Sequence, residues 1–347
     1  MAVVTDVRPG GDDPEAAVAV VPPVDEPSSE RSASGLGLGR APWAGVGSRA
    51  LAAFTPKRIA AVGAAWVAVT LIGVGLVIYG VGPMLEQRDQ HDLLGAYRTQ
   101  IAHAANARFT PEGLGGDDGA PEAPLVGDPV AIVEINGIRF RQVVVEGVGP
   151  QQTRHGPGHV PGTAGPGQPG NSVVVGRQAG FGGPFSELDK IDEGDEIVVT
   201  TTQGQSLYEV GLVRKGNLRS GGDGPLVHDT VYGPSQDDDR LTLVTSGSAT
   251  PWSGNPATVV VAEMKTQPFE PTLQGGRTNL QDGRDNDGSA LAPTLLATLG
   301  YIAAAAAAVI LYRRTRPRSA YLMSAPLLVA ATVLIAEAAA RLLPAWF

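Results

Sequence analysis

Cysteine is absent from all 347 residues, which excludes disulfides, thiolate metal sites and a cysteine nucleophile anywhere in the chain. An excess of positive charge is missing too: 26 Lys and Arg stand against 35 Asp and Glu, a formal net charge of -9. Neutralising phosphates needs clustered Lys and Arg on one face, so this balance argues against nucleic acid as a partner. P-loop and dinucleotide fingerprints are lacking as well, and the glycines of GPGHVPG and GFGGPF read as turn formers. The remaining absences are local, and they divide the chain.

Residues 1–56 lack apolar surface. They mix Pro, Gly, Ser and acidic side chains, too little to offset the entropy of ordering, and read as a disordered cytoplasmic tail. Its charge runs from acidic (Asp6, Asp12, Asp13, Glu15, Asp25, Glu26) to basic (Arg40, Arg49, Lys57, Arg58). Ile59 to Val81 then carries no charge and is long enough to cross a hydrocarbon core of roughly 30 Å, which predicts a transmembrane helix within 57–83. Its position after a long tail argues for an uncleaved anchor over a cleaved signal peptide. A second uncharged run, Leu291 to Tyr312, is followed by a basic turn at 313–319 with Arg313, Arg314, Arg316 and Arg318, and a third apolar run is expected to span 320–343. Placing both basic flanks in the cytoplasm satisfies the positive-inside rule for all three spans and puts the segment between the first and second spans outside. Glu337 and Arg341, one helical turn apart, read as an interfacial ion pair. With so little buried charge the spans read as anchors rather than a transporter, and the run Ala303 to Ala308 suits close approach of another helix.

Residues 84–124 read as a helical stalk and linker, with Leu85, Leu93, Leu94, Tyr97 and Ile101 at helical spacing, acting as a spacer, and Gly113 to Pro124 ending the pattern. From 125 to 266 the character is β. Runs at Ala131–Ile135, Gln142–Glu146, Ser172–Gly176, Glu196–Thr201, Ser206–Val213, Arg240–Ser246 and Thr258–Met264, separated by turn residues, predict a closed or nearly closed β-barrel. Residues 267–290 form a polar linker back to the second span. The expected fold class is therefore mainly β, with a barrel outside the membrane, three transmembrane helices and a disordered N-terminal tail.

The order of blocks in residues 127 to 264 resembles the sortase family, especially the actinobacterial sortases grouped as class E; high Ala, Gly and Pro with few Lys fits a high-GC bacterial genome. GDPVAIVEINGIRFRQVVVEG is similar to that family's opening strands and GPGHVPGTAGPGQPGN to its Pro- and Gly-rich loop. VVVGRQAGFGGPFSELDKIDEGDEIVVTT carries the "PF-x-x-L" and "GD-x-I-x-V" sequence, and LTLVTSGS with VVVAEM is similar to the site strand and its neighbour. The resemblance implies a sortase-like barrel. Sortases cut a surface protein at its sorting signal with a cysteine thiolate, and an amine resolves the thioester. In the family the cysteine ends a "TLxTC" strand, a histidine follows the Gly of a "GHR" turn, and an arginine opens the last strand.

The resemblance places Ser246 at the cysteine position, Arg177 at the histidine position and Ala257 at the arginine position, within about one residue. A serine hydroxyl needs an adjacent base to attack at neutral pH, arginine stays protonated and accepts no proton, and alanine offers an oxyanion no donor. Nucleophile, base and oxyanion support are thus all replaced, and a catalytically inactive domain that binds an extended peptide or surface protein is expected. The partner would be a sorting-signal protein or another membrane protein. The alternative is a serine-dependent transpeptidase or acyltransferase using Ser246, with His228 as the histidine best placed to substitute as base. A third reading is architectural, with the barrel as spacer and the helices assembling a complex. His159 reads as structural, His155 as solvated, and His91 and His103 belong to the stalk. Asp237, Asp238 and Asp239 read as a solvated turn rather than a calcium site. No metal or cofactor is expected.

Overall fold

Strictly alternating β-branched and leucine side chains can cover an interior on one face and pack a second layer on the other, and this is how the barrel forms. The computed structural model describes residues 56–107, 123–219, 226–235, 238–250, 256–272, 282–284, 286–314 and 317–347. Residues 1–60 and 61–347 are separate units; of the first, only the opening turn of a helix is described, so the expected tail lies outside the described residues. Everything below concerns the second unit.

The strands are β1 (Pro129–Ile135), β2 (Phe140–Glu146), β3 (Gly158–His159), β4 (Asn171–Val175), β5 (Glu196–Thr200), β6 (Gln205–Arg219), β7 (Leu226–Val227), β8 (Arg240–Ser246) and β9 (Pro256–Met264). They follow the order β5-β1-β2-β3-β4-β8-β9-β6, and pairing of β5 with β6 closes a ring of eight, with β7 added beside β6. Closure leaves little free edge, although β2 pairs with β3 only at Val145 and Glu146. Pairings β2/β3, β4/β8 and β6/β7 are parallel and the rest antiparallel. Ile135, Val144, Val174, Leu241, Leu243 and Val260 fill the interior, each burial contributing about 1.5–3 kcal/mol. The alternate residues Val173 and Val175 of β4, Val244 of β8, and Ala257 and Val259 of β9 form a second cluster on the outer face. Over it lie Leu218, Leu226, Trp346 and a short helix α3 (His228–Tyr232), which contributes Val231 and Tyr232.

The N-terminal helix is continuous: α1 (Pro56–Leu76), a π turn at Val77–Val81, and α2 (Gly82–Ala107). At the π turn the Ile78 carbonyl accepts a hydrogen bond from the Phe181 amide at 3.1 Å. A β-carbon at Gly82 would come within 2.9 Å of the Phe181 ring, so only glycine lets the barrel loop approach the helix there.

The stalk is not a free spacer. Its apolar stripe Leu93, Leu94, Tyr97 and Ile101 packs on Ile132 and Val143 of the barrel. Gln90 reads the edge of β2 in both directions, accepting from the Val143 amide at 2.7 Å and donating to its carbonyl at 3.0 Å. A helix bearing an apolar stripe beside a β-sheet buries it, and that overrides the spacer role.

Helices α4 (Leu291–Arg314) and α5 (Pro317–Ala340) pack along each other, and among the described residues three helices are long and apolar enough to cross a membrane. The Thr70 hydroxyl donates to Tyr301 at 2.9 Å, linking α1 to α4. The ion partner of Glu337 is Arg154 of the barrel, at 3.2 Å, rather than Arg341. The barrel loop that carries Arg154 lies against this end of α5. The side chains of the basic turn at 313–319 lie outside the described residues.

Candidate functional site

Three adjacent strands, β4, β8 and β9, end together and build one small area on the outer face. Ser246 closes β8 and pairs directly with Ala257 of β9. Val175, the last residue of β4, is in register with Val244 of β8, and Arg177 follows two residues later, its carbonyl accepting from the Phe185 amide at 3.0 Å. Ser246 and Ala257 face each other across β8 and β9, Arg177 lies two residues past the end of β4, and all three are under 6% exposed. Gly176 before Arg177 is required by packing, since a β-carbon there would lie 2.4 Å from the ring of Phe185.

Ser246 is engaged locally. Its hydroxyl donates to the Ser248 carbonyl at 2.9 Å and accepts from the Ser248 amide at 3.3 Å. A carbonyl accepts a hydrogen bond but takes no proton, so this contact does not activate the hydroxyl.

Arg177 is completely buried. Its guanidinium donates to the Pro150 carbonyl at 2.9 Å and the Phe347 carbonyl at 3.2 Å, while its Nε has no partner among the described residues. Burial, and secondarily the positive charge of Arg154, push its pKa down to about 9, so it remains a cation at neutral pH. Both guanidiniums stand over the ring of Phe181, Arg177 at 5.2 Å and Arg154 at 5.3 Å, and cation–π attraction offsets part of their repulsion. Phe181 itself sits at φ 47, between Gly180 and Gly182 at φ 56 and 86. This left-handed turn is unfavourable for a bulky residue and is held by the contacts its ring and amide make.

His228 does not reach Ser246. Its Nε2 lies 3.2 Å from the Asp282 carboxylate and its Nδ1 3.3 Å from Asp229, and its ring stacks on Tyr232 at 4.7 Å. Two carboxylates and an aromatic ring fix it over the linker, and among the described residues no histidine hydrogen-bonds Ser246. His155 is half-exposed but paired with Asp89 at 2.6 Å. His91 and His103 lie exposed on α2. Asp239 caps the Gly170 amide at 2.7 Å, Asp237 lies outside the described residues, and no cluster of metal-ligating side chains occurs among the described ones.

Two features escaped the sequence reading. One is a buried pair, His159 Nδ1 and a Glu146 carboxylate oxygen at 2.7 Å, with Nε2 at 2.8 Å from the Ala164 carbonyl. Both residues border a cavity of about 310 Å³ between α2 and the barrel. An acidic residue at the end of β2 and a histidine thirteen positions on gave no local signal of pairing. The other is the cover over Arg177. Ala345, Trp346 and Phe347 are 0, 3 and 2% exposed. The Trp346 amide donates to the Gly283 carbonyl at 2.9 Å, and its carbonyl accepts from the Gln178 amide at 3.0 Å. Gly283, at φ 74, runs so close to β4 that a β-carbon would meet Val175 at 2.6 Å. Two aromatics just beyond the last apolar run were the available signal for this cover.

A closed eight-stranded barrel with a polar and aromatic area at the ends of three neighbouring strands defines a β-barrel domain carried by membrane-type helices. Residues 133–265 match the family model described as the Sortase domain, and this part of the chain is a sortase-like domain. No curated protein sequence matches the chain. Among solved structures, a Clostridium perfringens sortase D5 transpeptidase is 20% identical, with a TM-score of 0.40 over 52% of this chain and 99% of its own. Sortase E from Streptomyces avermitilis is 25% identical, with a TM-score of 0.34 over 45% of this chain and 97% of its own. The SrtF sortase from Corynebacterium diphtheriae is 22% identical, with a TM-score of 0.36 over 46% and 94% respectively.

Proposed function

We propose that this chain is a multi-pass plasma-membrane protein whose extracytoplasmic, sortase-like barrel is catalytically inactive and binds a peptide or protein partner at the cell surface. The N-terminus is cytoplasmic, an orientation supported by the basic flanks at Lys57/Arg58 and at 313–319. The observation that carries the reading is the trio at the strand ends. Among the described residues the Ser246 hydroxyl hydrogen-bonds only to Ser248, Ala257 lies opposite it, and a buried arginine follows the end of β4. That trio contains no proton acceptor for the hydroxyl and no side-chain donor at Ala257 for an oxyanion. Peptide recognition through backbone groups and apolar pockets needs no nucleophile, so loss of the catalytic side chains is compatible with binding.

The test uses the full chain in nanodiscs with a sorting-signal peptide and an amine acceptor, together with a fluorophosphonate probe. Binding without cleavage and without an adduct on Ser246 is expected. The comparison is the Ser246→Cys, Arg177→His, Ala257→Arg variant, for which thioester trapping is expected. Peptide transfer by the natural chain, lost in Ser246→Ala, would replace this reading with a serine-dependent transpeptidase.

A further inference from the structure

The segment after α5 behaves as a ligand of the barrel. After Arg341 and Leu342 it carries no charged side chain, Leu343-Pro344-Ala345-Trp346-Phe347, and its last three residues are buried although they lie past the apolar helix. Trp346 belongs to the outer-face cluster formed by Val173 and Val175 of β4, Val244 of β8 and Val259 of β9. The polar ties to it are all made to its backbone: the Gln178 amide to the Trp346 carbonyl, the Trp346 amide to Gly283, and the Arg177 guanidinium to the Phe347 carbonyl. Recognition through main-chain groups plus one aromatic side chain in an apolar floor is how a folded domain holds a peptide.

The fit is also incomplete. Arg177 is buried, its two acceptors are carbonyls, and its Nε finds no partner among the described residues. A buried donor left unmet makes the bound arrangement replaceable by a segment that offers a further acceptor.

We infer that the outer face of β4, β8 and β9 beside Arg177 is a binding site for short aromatic peptide segments that present backbone carbonyls to the guanidinium. Residues 344–347 fill this site in cis. The inference rests on the peptide-binding reading above and names its ligand and its built-in competitor. A partner reaches the site by displacing the segment, and tethering gives the segment an effective concentration on the order of millimolar, which the partner must match.

The absence of native cysteine makes the test clean. Val175→Cys reports on the outer face, and Val174→Cys, one residue away but facing the interior, reports on global unfolding. Maleimide labelling of the full chain in nanodiscs is compared with and without Trp346→Ala plus Phe347→Ala. With those two substitutions Val175→Cys is expected to react roughly tenfold faster or more, while Val174→Cys is unchanged. An acetylated and amidated Leu-Pro-Ala-Trp-Phe peptide at about millimolar concentration is expected to restore protection. An unchanged Val175→Cys rate refutes the inference. So does acceleration that the peptide fails to reverse, because the segment would then be fixed scaffold. If Val174→Cys also accelerates, hydrogen exchange on the natural chain decides. Excess peptide must speed exchange of the Trp346 amide and leave the β8 amides unaffected, and no acceleration counts against the site. An adduct on Ser246 would defeat the inactive reading while leaving this protection pattern intact, so the two failures are distinguishable.

Discussion

Replacing Arg177 separates its role as a buried cation from its role as a space filler. Its depressed pKa, about 9 and well below that of a free guanidinium, means that the fold disfavours the charged form by a few kcal/mol, at roughly 1.4 kcal/mol per pH unit. Opposing this are its hydrogen bonds to the Pro150 and Phe347 carbonyls, each contributing about 1.5–3 kcal/mol when the donor is charged. Arg177→Met removes both contributions and keeps most of the volume, so it is expected to fall within about 2 kcal/mol of the natural chain. Arg177→Ala removes the same contributions and leaves a cavity, adding about 2–5 kcal/mol of destabilisation. The two variants are therefore expected to differ by roughly 3 kcal/mol, or about 6–12 °C in melting temperature for a domain of this size. Melting of the full chain in detergent, followed by tryptophan fluorescence, measures this. The pH dependence has a fixed sign. Between the folded value near 9 and the higher value of the unfolded chain, the unfolded chain holds more protons at this site, so the natural chain gains stability relative to Arg177→Met as pH rises above 9. Equal melting of the Ala and Met variants, or a loss of relative stability with rising pH, would refute the reasoning.

Two further outcomes follow from the same packing. Glu146→Ala or His159→Ala alone is expected to destabilise by about 1–3 kcal/mol, because each removes a hydrogen bond between two groups that are about 1% exposed, whereas an apolar double replacement is expected to be milder than the sum of the two; denaturant unfolding of all three variants checks this, and simple additivity would contradict it. Gly176→Ala is expected to cost about 1–3 kcal/mol by overpacking, since its β-carbon would press on Phe185, a ring already packed on Phe140 at 5.4 Å; a neutral result in the same unfolding assay would show that Phe185 yields.

The strands were legible where side-chain alternation was strong. Arg240–Ser246 was read with the observed bounds because Leu241 and Leu243 face in while Val244 packs outside. β6 was read as Ser206–Val213 but runs from Gln205 to Arg219. Its second half carries Arg214 and Lys215, whose polarity hides a strand held by backbone pairing to Thr258, Ala257 and Pro256. β3 and β7 have two residues each and exist only through their neighbours. The stripe on α2 announced a helix but not the sheet it lies on. At the candidate site, the pairing of Ser246 with Ala257 depends on β8 and β9 being neighbours. The cover by 344–347 and the capture of His228 by Asp282 depend on where linkers return in space, and no local pattern encodes that.

Arg177→His carries the electrostatic argument one step further. An imidazole at this position would be shorter than the guanidinium, so the contacts to Pro150 and Phe347 that depend on its reach would be lost. It would also inherit the same surroundings, apolar burial and the charge of Arg154, which depress the proton affinity of Arg177. Both effects disfavour imidazolium, so the histidine is expected to titrate below the usual value of about 6.5 and to stand neutral at pH 7, able to accept a proton. The linkage sign is then opposite to that of a paired histidine. The unfolded chain binds the extra proton first, so the variant loses stability as pH falls below about 6.5 and recovers it above. Titration of the histidine C2 proton by NMR, with melting at pH 5.5 and 7.5, measures both quantities. A value above 6.5 would mean that the Ser246 neighbourhood is far wetter than the burial of Arg177 implies, and the argument against an activated serine would lose its electrostatic part while keeping its geometric one.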